Sequence, residues 1–314
     1  MLAEQVRSGL VETVHDGAVA VVDPTGDLVA YSGDIDRPFY FRSAAKPFQA
    51  AISQASGAGL APEELAMACA SHDGEPVHLA LVTAMLNRAG LSEDQLQCPP
   101  DWPIRGEAGR RLASGGARHA RRLFNNCSGK HTAMLRACVN SGWDPASYLD
   151  PGGPLQRQIT DLIADVSQLA LQVGVDGCGA PVHSTTTLGM ARAFVRLAVD
   201  DVFTPVLAAM HSYPGLVSGI GNPDSAIARN IDGVAKRGAR GALGVSVRRR
   251  FGLAVKCWDG SDLVAGMASI ATLDELGAVP THSWESLQRY RQPLVKGGGR
   301  PVGSYRSLLE LQWV

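Results

Sequence analysis

The chain has 314 residues, of which 45% are hydrophobic and 19% charged, and its formal net charge is −1 at pH 7. This balance argues against an intrinsically disordered protein and against a nucleic-acid partner. The N-terminal segment mixes acids with bases and has no apolar stretch long enough for a signal peptide or a membrane span, so we expect a cytoplasmic protein without a membrane segment. In that reducing compartment, the six cysteines favour free thiols or metal ligands over disulfides.

The first predicted element is a β-hairpin. Residues 18–32 form two short apolar runs around the turn sequence Asp-Pro-Thr-Gly. From Ser43 the pattern becomes helical and ends at Ser56-Gly57, and Pro47 is close enough to the start for the first turn to tolerate it. Ser43 is therefore predicted at or near a helix N-terminus.

The middle of the chain is predicted to be mainly helical. Apolar periodicity and end signals predict helices over residues 62–69, 76–89, 105–113, 128–140, 154–171, 188–199 and 205–211. The sequence predicts this helical region to extend roughly over residues 60–215.

Extended structure is predicted again near the C-terminal end. Residues 241–247 and 251–259 read as strands on either side of the turn Arg248-Arg249-Arg250, and residues 263–276 read as a closing helix. The glycine-rich residues 296–304 are predicted as a surface loop. Strands at both ends and helices between them predict one α/β domain, 1–314, whose sheet is assembled from distant segments.

A Ser-x-x-Lys sequence lies at the first predicted helix start, where Ser43 precedes Lys46 by one turn. A lysine kept neutral by burial can accept the proton of a serine hydroxyl, and the N–H groups of a helix start can hold an oxyanion. The alternative for an isolated motif of this kind is an N-cap serine and a solvated lysine.

Two further segments could complete such a site. Ser71 and His72 lie in a polar segment between two predicted helices, which is either a reactive loop or a simple turn. Lys256 ends an apolar run that should be a buried strand, and a buried lysine needs a partner or loses its proton, unless it reaches the surface at an edge. Serine β-lactamases and penicillin-binding proteins combine a Ser-x-x-Lys helix with a lysine on a core strand.

A possible metal site is indicated by the spacing of Cys127, Lys130 and His131 at a helix start, with Cys178 in a glycine-rich turn. Zinc would suit two thiolates and a nitrogen ligand, with a fourth position left for water. Buried cysteines beside a helix start are the alternative interpretation.

Taken together, these segments resemble the rhizobial-type L-asparaginases, also called class 3 or L-asparaginase II. The shared motifs are FRSAAKPFQA, ASHDGEPVH, NNCSGKHTAML, VDGCGAPVHS and GLAVKCWDG, which occur in the family's order between about residues 14 and 275. The resemblance implies a fold similar to that of serine β-lactamases and glutaminases, the hydrolysis of L-asparagine to L-aspartate and ammonia, and a homodimer.

The resemblance also implies roles for individual residues, which we state as expectations. Two Ser-Lys pairs are expected, Ser43 with Lys46 and Ser71 with Lys256. Apart from the resemblance, Ser43 is the favoured nucleophile because its position at a helix start supplies both a base and oxyanion donors. Zinc is expected near the active site. Its expected ligands are Cys127, Lys130 and Cys178. The expected substrate contacts are Arg42, His72, His131 and Asp176.

The chain departs from the family pattern at two places. Arg240 replaces an acidic residue in the segment Gly-Ala-Arg-Gly, and Asn222 and Ser225 stand where arginine and threonine are expected. These changes leave three other hypotheses open: a glutaminase or other β-lactamase-like serine hydrolase, a catalytically weak protein that binds amides or metal, and a cysteine hydrolase built on Cys127 and His131.

Overall fold

The computed structural model describes all residues from Met1 to Val314. Its thirteen strands are β1 Ala3–Arg7, β2 Leu10–His15, β3 Gly17–Val22, β4 Leu28–Ser32, β5 Phe39–Tyr40, β6 Val173–Val175, β7 Pro181–Thr185, β8 Gly233–Gly238, β9 Ala242–Val247, β10 Phe251–Cys257, β11 Leu294–Gly297, β12 Arg300–Ser307 and β13 Gln312–Trp313. Its twelve α-helices are α1 Lys46–Ser53, α2 Pro62–Ala68, α3 Pro76–Arg88, α4 Gly106–Ser114, α5 Ser128–Asn140, α6 Pro154–Ser167, α7 Thr187–Val199, α8 Thr204–Ser212, α9 Pro214–Ser218, α10 Pro223–Ala228, α11 Asp262–Glu275 and α12 Trp284–Arg291.

The central sheet has six strands in the order β13-β4-β3-β10-β9-β8. Strand β10 pairs antiparallel with β3 on one side and with β9 on the other, so segments that are more than 200 residues apart in the chain, by the numbering of β3 and β10, are adjacent in the middle of the sheet. The predicted N-terminal hairpin, the arginine turn between β9 and β10, and the assembly of one sheet from distant segments are confirmed.

The two faces of this sheet are covered by different helices. Alternate side chains of β10 enter different cores, because successive residues of a strand point to opposite faces: Ala254 joins the core of the helical region, whereas Leu253 and Val255 join the core beneath α11. The predicted helices of the middle region and the closing helix α11 are present. This is the α/β architecture that the predicted serine β-lactamase-like class describes, with a largely helical insertion.

Several parts of the sheet structure differ from the prediction. A three-stranded sheet of order β5-β7-β6 and the edge strand β13 were not predicted, and β6 and β7 lie inside the region predicted to be mainly helical. Strand β8, the edge strand beside β9, was not predicted, because its sequence GVAKRG carries two cations within a short apolar run. The glycine-rich segment near residue 300 is not a loop but the β11–β12 hairpin. Strand β12 pairs with β1, and β1 pairs with β2, in a separate four-stranded sheet. Two consecutive glycines, Gly298 and Gly299, both with positive φ, form its turn.

No helix of the structure combines the length and the apolar character needed to cross a bilayer. All six cysteines are buried and free.

Candidate active site

The Ser-x-x-Lys motif lies at the junction of a 3-10 turn, Arg42–Ala45, with helix α1. Arg42 has a φ of 51°, which is unusual for a residue with a side chain and typical of constrained sites. Strand β8 approaches this turn closely at Gly238, where a Cβ would lie 2.5 Å from the carbonyl oxygen of Phe41. The glycine thus allows the edge of the central sheet to pack directly beside Ser43.

Lys46 is buried beneath this turn, with 1% of its surface exposed. Its amine donates to the carbonyl oxygen of Ala70 at 2.5 Å and to the hydroxyl of Ser71 at 2.9 Å. The structure therefore joins Lys46 to the second serine of the prediction, not to Ser43. Side-chain direction explains the difference, because the amine extends from α1 into the loop that follows α2.

A second lysine reaches the same hydroxyl from strand β8. The Lys236 amine lies 3.3 Å from Ser71 Oγ and also donates to the carbonyl oxygen of Arg237 at 3.0 Å. Lys236 is fully buried, and burial lowers the pKa of its amine to about 7, against the attraction of the Asp224 carboxylate 3.8 Å away. Ser71 thus lies between two lysine amines.

The predicted pairing of Ser71 with Lys256 is wrong. The amine of Lys256 donates to the carbonyl oxygens of Arg240 and Cys257, the latter at 2.9 Å, and it lies over the rings of Phe39 and Trp258. Strand β10 is separated from β8 by β9, which places the two lysine-bearing strands roughly 10 Å apart. The strand lysine that contacts Ser71 is therefore Lys236, on the edge strand β8.

The sequence contained a signal for Lys236 that the prediction did not use. Lys236-Arg237-Gly238 has the Lys-x-Gly spacing of the strand motif found in serine β-lactamases, whereas Lys256 has no glycine two residues later. The position two residues after Lys256 is occupied by Trp258, which packs against Phe39.

Ser43 and Ser71 both line a cavity of about 620 Å³ at this junction. The volume is in the range of small-molecule sites. Gly238 and Ala239 form part of its wall. Other polar and charged residues of the wall are Asp73, Arg105, Asn126, Asn222, Arg237 and Asp262.

The cavity wall holds charges of both signs close together. Asp73 is buried, and burial raises the pKa of its carboxyl, against the opposing effect of Arg237 and Asn222. The Asn222 amide donates to both Asp73 carboxylate oxygens, at 3.3 and 3.4 Å, and Arg105 lies 3.6 Å from one of them. A ligand with both an ammonium and a carboxylate group would find a partner for each.

His72 does not line the cavity, contrary to its predicted contact with substrate. The residue is fully buried, its Nε2 lies 2.9 Å from the hydroxyl of Ser128, and its Nδ1 accepts the N–H of Gly74 at 3.2 Å. Both ring nitrogens are engaged within the protein, so the ring fixes the loop that carries Ser71 and Asp73.

The predicted metal ligands come together in a buried cluster. The amine of Lys130 lies 3.2 Å from Cys178 Sγ, the Cys127 thiol donates to Asn126 Oδ1 at 3.1 Å, and the two cysteines are close enough to influence each other's ionisation. The Cys127 thiol, with the nearby Lys130 amine, holds the pKa of Cys178 far below its usual value, and the neighbouring Cys178 together with burial raises the pKa of Cys127. Two sulfur donors and an amine nitrogen in a buried place fit a soft divalent cation such as zinc.

The remaining predicted contacts, His131, Arg42 and Asp176, surround this cluster rather than the cavity. His131 is fully buried, its Nδ1 lies 2.7 Å from the Tyr148 hydroxyl, and its Nε2 has no partner in the protein. Arg42 forms an ion pair with Asp176, with Nε 2.8 Å from the carboxylate. The His131 ring interacts with Cys178, so this residue adjoins the predicted metal ligands.

Residues 3–307 match the family of L-asparaginase II. The chain belongs to the L-asparaginase II family. It is therefore an amidohydrolase by family, and the match spans every element of the site described above. The curated proteins contain no match to this chain.

Solved structures similar to this family member include glutaminases. Mglu in its native form shares 16% identity with a TM-score of 0.49, and the match covers 88% of this chain and 68% of Mglu. A Bacillus glutaminase shares 13% identity with a TM-score of 0.47, covering 84% of this chain and 91% of that one. The probable glutaminase ybaS shares 14% identity with a TM-score of 0.40, covering 84% and 86%.

Proposed function

We propose that this protein hydrolyses L-asparagine to L-aspartate and ammonia through a serine whose proton is removed along a buried Ser-Lys network. The observation that carries the proposal is the chain of contacts from Lys46 through Ser71 to Lys236, which borders the same cavity as Ser43. Family membership supplies the reaction class, and this network supplies the proton acceptor that amide hydrolysis by serine requires.

Ser43 is the proposed nucleophile. Its side chain is half-buried at the cavity, whereas Ser71 is only 5% exposed and is held between two amines. A hydroxyl that is already fixed by two partners is better suited to relay a proton than to approach a carbon atom. Ser43 is also the second residue of the 3-10 turn Arg42–Ala45, where the first N–H groups have no partner within the turn, so its own N–H can polarise a carbonyl.

The proposed reaction proceeds by acyl transfer. The Ser43 oxygen attacks the side-chain amide carbon of asparagine while its proton passes through Ser71 to the neutral amine of Lys236. The C–N bond then breaks, the proton goes to the leaving ammonia, and water hydrolyses the resulting ester to release aspartate. Ser43 and Ala239 both line the cavity, so their N–H groups are the proposed donors to the oxyanion.

Charge complementarity supports an amino-acid substrate. Asp73 is proposed to bind the α-ammonium group, and Arg105 and Arg237 the α-carboxylate, because all three line the cavity that holds Ser43. A substrate that carries both an ammonium group and a carboxylate pairs with these charged side chains better than a neutral amide does.

Zinc is part of the proposal as a resident ion held by Cys127, Lys130 and Cys178. When bound, a zinc ion acts as a Lewis acid or as an anchor that orients polar groups. The chain's own contribution is to keep the two thiols and the amine together in a buried place next to Asn126, which lines the cavity. A cytoplasmic location and a homodimer remain predictions of the sequence.

The test is a coupled ammonia assay with L-asparagine and L-glutamine on the full chain and its Ser43→Ala variant. We expect ammonia from asparagine, an ester intermediate detectable by mass spectrometry, and loss of both in the variant. Ser53→Ala is the matched control, because Ser53 lies at the end of α1, the helix that follows Ser43, and its hydroxyl donates to the carbonyl oxygen of Gln49 at 2.9 Å, away from the cavity. The control should retain activity.

Other outcomes would separate the rival hypotheses. Near-normal turnover by Ser43→Ala would exclude Ser43 as the nucleophile. Ammonia from glutamine alone would make the protein a glutaminase, and thermal stabilisation by asparagine without ammonia would make it a binding protein. Inactivation of metal-free protein by thiol alkylation would favour a cysteine hydrolase.

A further inference from the structure

A cluster of His15, Cys257 and Asp259 lies at the end of the central sheet, apart from the lysine network and from the Cys127–Cys178 pair. Its three side chains each offer one ligand atom, and these atoms all lie within 4.8 Å of one another. No other group of three histidine, cysteine or acidic side chains is as compact. We propose that this cluster is a second binding site for a divalent cation, with zinc the ion that its donors suit best.

The sheet register brings these residues together. Cys257 at the end of β10 pairs with Gly17 at the start of β3, and His15 is two residues earlier, at the end of β2. The N–H of Trp258 donates to the carbonyl oxygen of Asp16 at 2.9 Å, which holds the following turn against the same segment. The backbone thus positions all three donors before any ion binds.

The side-chain contacts converge on one carboxylate. Asp259 Oδ2 lies 2.5 Å from His15 Nδ1, and Asp259 Oδ1 accepts a hydrogen bond from the Cys257 thiol at 3.1 Å and from the N–H of Ser261 at 2.9 Å. A sulfur, an imidazole nitrogen and a carboxylate oxygen form a donor set typical of zinc, and three protein ligands leave one tetrahedral position for water.

The imidazole ring is oriented toward the cluster by its contact with the carboxylate. The His15 side chain is nine-tenths buried and its Nδ1 faces Asp259, whereas Nε2, on the far side of the ring, has no hydrogen-bond partner in the protein. His72, by contrast, is bonded through both ring nitrogens. Nδ1 is therefore the atom that the His15 ring would offer to an ion shared with Cys257 and Asp259.

Access and charge also agree with ion binding. His15 and Cys257 are buried, but the side chain of Asp259 is 43% exposed, so an ion can enter from solvent past the carboxylate. On binding, the Cys257 thiol releases its proton to solvent and forms an S–Zn bond, so that thiolate and carboxylate balance the two positive charges. The ion would tie the β2–β3 junction to the end of β10.

The experiment uses metal-free full-length protein titrated with Co²⁺, whose thiolate complexes give a near-ultraviolet charge-transfer band. In a Cys127→Ala/Cys178→Ala variant, which removes the other thiol pair, we expect one remaining Co²⁺ ion per chain with this band. Cys257→Ala should lose one bound ion relative to the unchanged chain. Cys138→Ala is the matched control, because Cys138 is equally buried and free but lies on α5 away from both clusters.

Two results would overturn the proposal. One is a folded double variant, by circular dichroism, that shows no thiolate–Co²⁺ band. The other is Cys257→Ala with the same Co²⁺ stoichiometry and the same Zn²⁺-induced rise in melting temperature as Cys138→Ala. If the double variant does not fold, the comparison of Cys257→Ala with Cys138→Ala still tests whether the cluster binds an ion. None of these readouts depends on ammonia release, so failure of the proposed asparaginase activity would leave the result intact.

Discussion

Lys236 and Ser71 approach each other across the junction between the edge of the central sheet and the helical region, with 3.3 Å between the amine and the hydroxyl oxygen. The lysine comes from β8 and the serine from the loop after α2, so the contact exists only when both parts of the fold are assembled. A fully buried amine whose pKa lies near 7 can accept a proton at neutral pH, which an exposed lysine cannot do.

The first prediction compares the two buried strand lysines. Lys236→Met should lower kcat for asparagine by about 10²- to 10⁴-fold, because it removes the proposed proton acceptor while keeping an apolar side chain of similar length. Lys256→Met should retain most of the activity, since its amine bonds to backbone carbonyls and lies outside the cavity. The measurement is steady-state ammonia release by both variants.

Circular dichroism and thermal melting of both proteins serve as the control for folding. The reverse order of effects, with Lys256→Met inactive and Lys236→Met active, would restore the pairing expected from sequence and refute the network described here.

The second prediction concerns pH. The active form of Lys236 is the neutral amine, so kcat/KM should rise with pH by about tenfold per unit below pH 7 and level off above it, as burial has brought its pKa to about 7. The attraction of the Asp224 carboxylate raises this pKa. Asp224→Asn should therefore move the midpoint of the profile to lower pH. A midpoint that is unchanged in Asp224→Asn would show that another group controls the profile.

Much of the fold was predictable because its signals are local. Apolar periodicity, prolines at helix starts and glycines in turns located the helices from α1 to α8, the hairpin β3–β4 and the strands on either side of the arginine turn. Edge strand β8 and the small sheet of β1, β2, β11 and β12 were missed, since short strands with polar residues have no distinctive pattern of their own.

The candidate site was predictable in its segments but not in its pairings. Ser43, Lys46 and Ser71 were found from their motifs and lie together, and Cys127, Lys130 and Cys178 form one cluster. Which lysine reaches Ser71 depends on strand order, and strand order is set by contacts distant in sequence. For the same reason, the sequence predicted His72 as a substrate contact, although its ring is fully buried in the interior.

The third prediction concerns a buried ion pair that supports the helical region. Arg136 on α5 donates to the Glu64 carboxylate at 3.1 Å, and both side chains are buried. Arg136→Met should lower the free energy of unfolding by about 3 kcal/mol, at the low end for a broken buried pair, because Arg88 still contacts Glu64 at 2.7 Å. Denaturant unfolding measures this change.

The matched control is the exposed pair of Arg248 with Asp232, which are 3.0 Å apart. Asp232→Asn should change the free energy of unfolding by less than about 1 kcal/mol, because exposed ion pairs contribute little. If Arg136→Met and Asp232→Asn lowered the free energy of unfolding equally, the buried pair of Arg136 with Glu64 would contribute no more to stability than the exposed pair does.

The fourth prediction separates the two departures from the family pattern. Asn222 lines the cavity and donates to Asp73, so Asn222→Ala should raise KM for asparagine by about tenfold, since a hydrogen bond to a charged group contributes about 1.5–3 kcal/mol.

The side chain of Arg240 is exposed outside the cavity, and only its backbone carbonyl is engaged, by Lys256. Arg240→Glu, which restores the acid expected at that position, should therefore leave KM within about twofold, a change of less than about 0.5 kcal/mol. If Arg240→Glu shifted KM more than Asn222→Ala, residue 240 would have to reach the substrate, and the proposed binding role of Asp73 would lose its support.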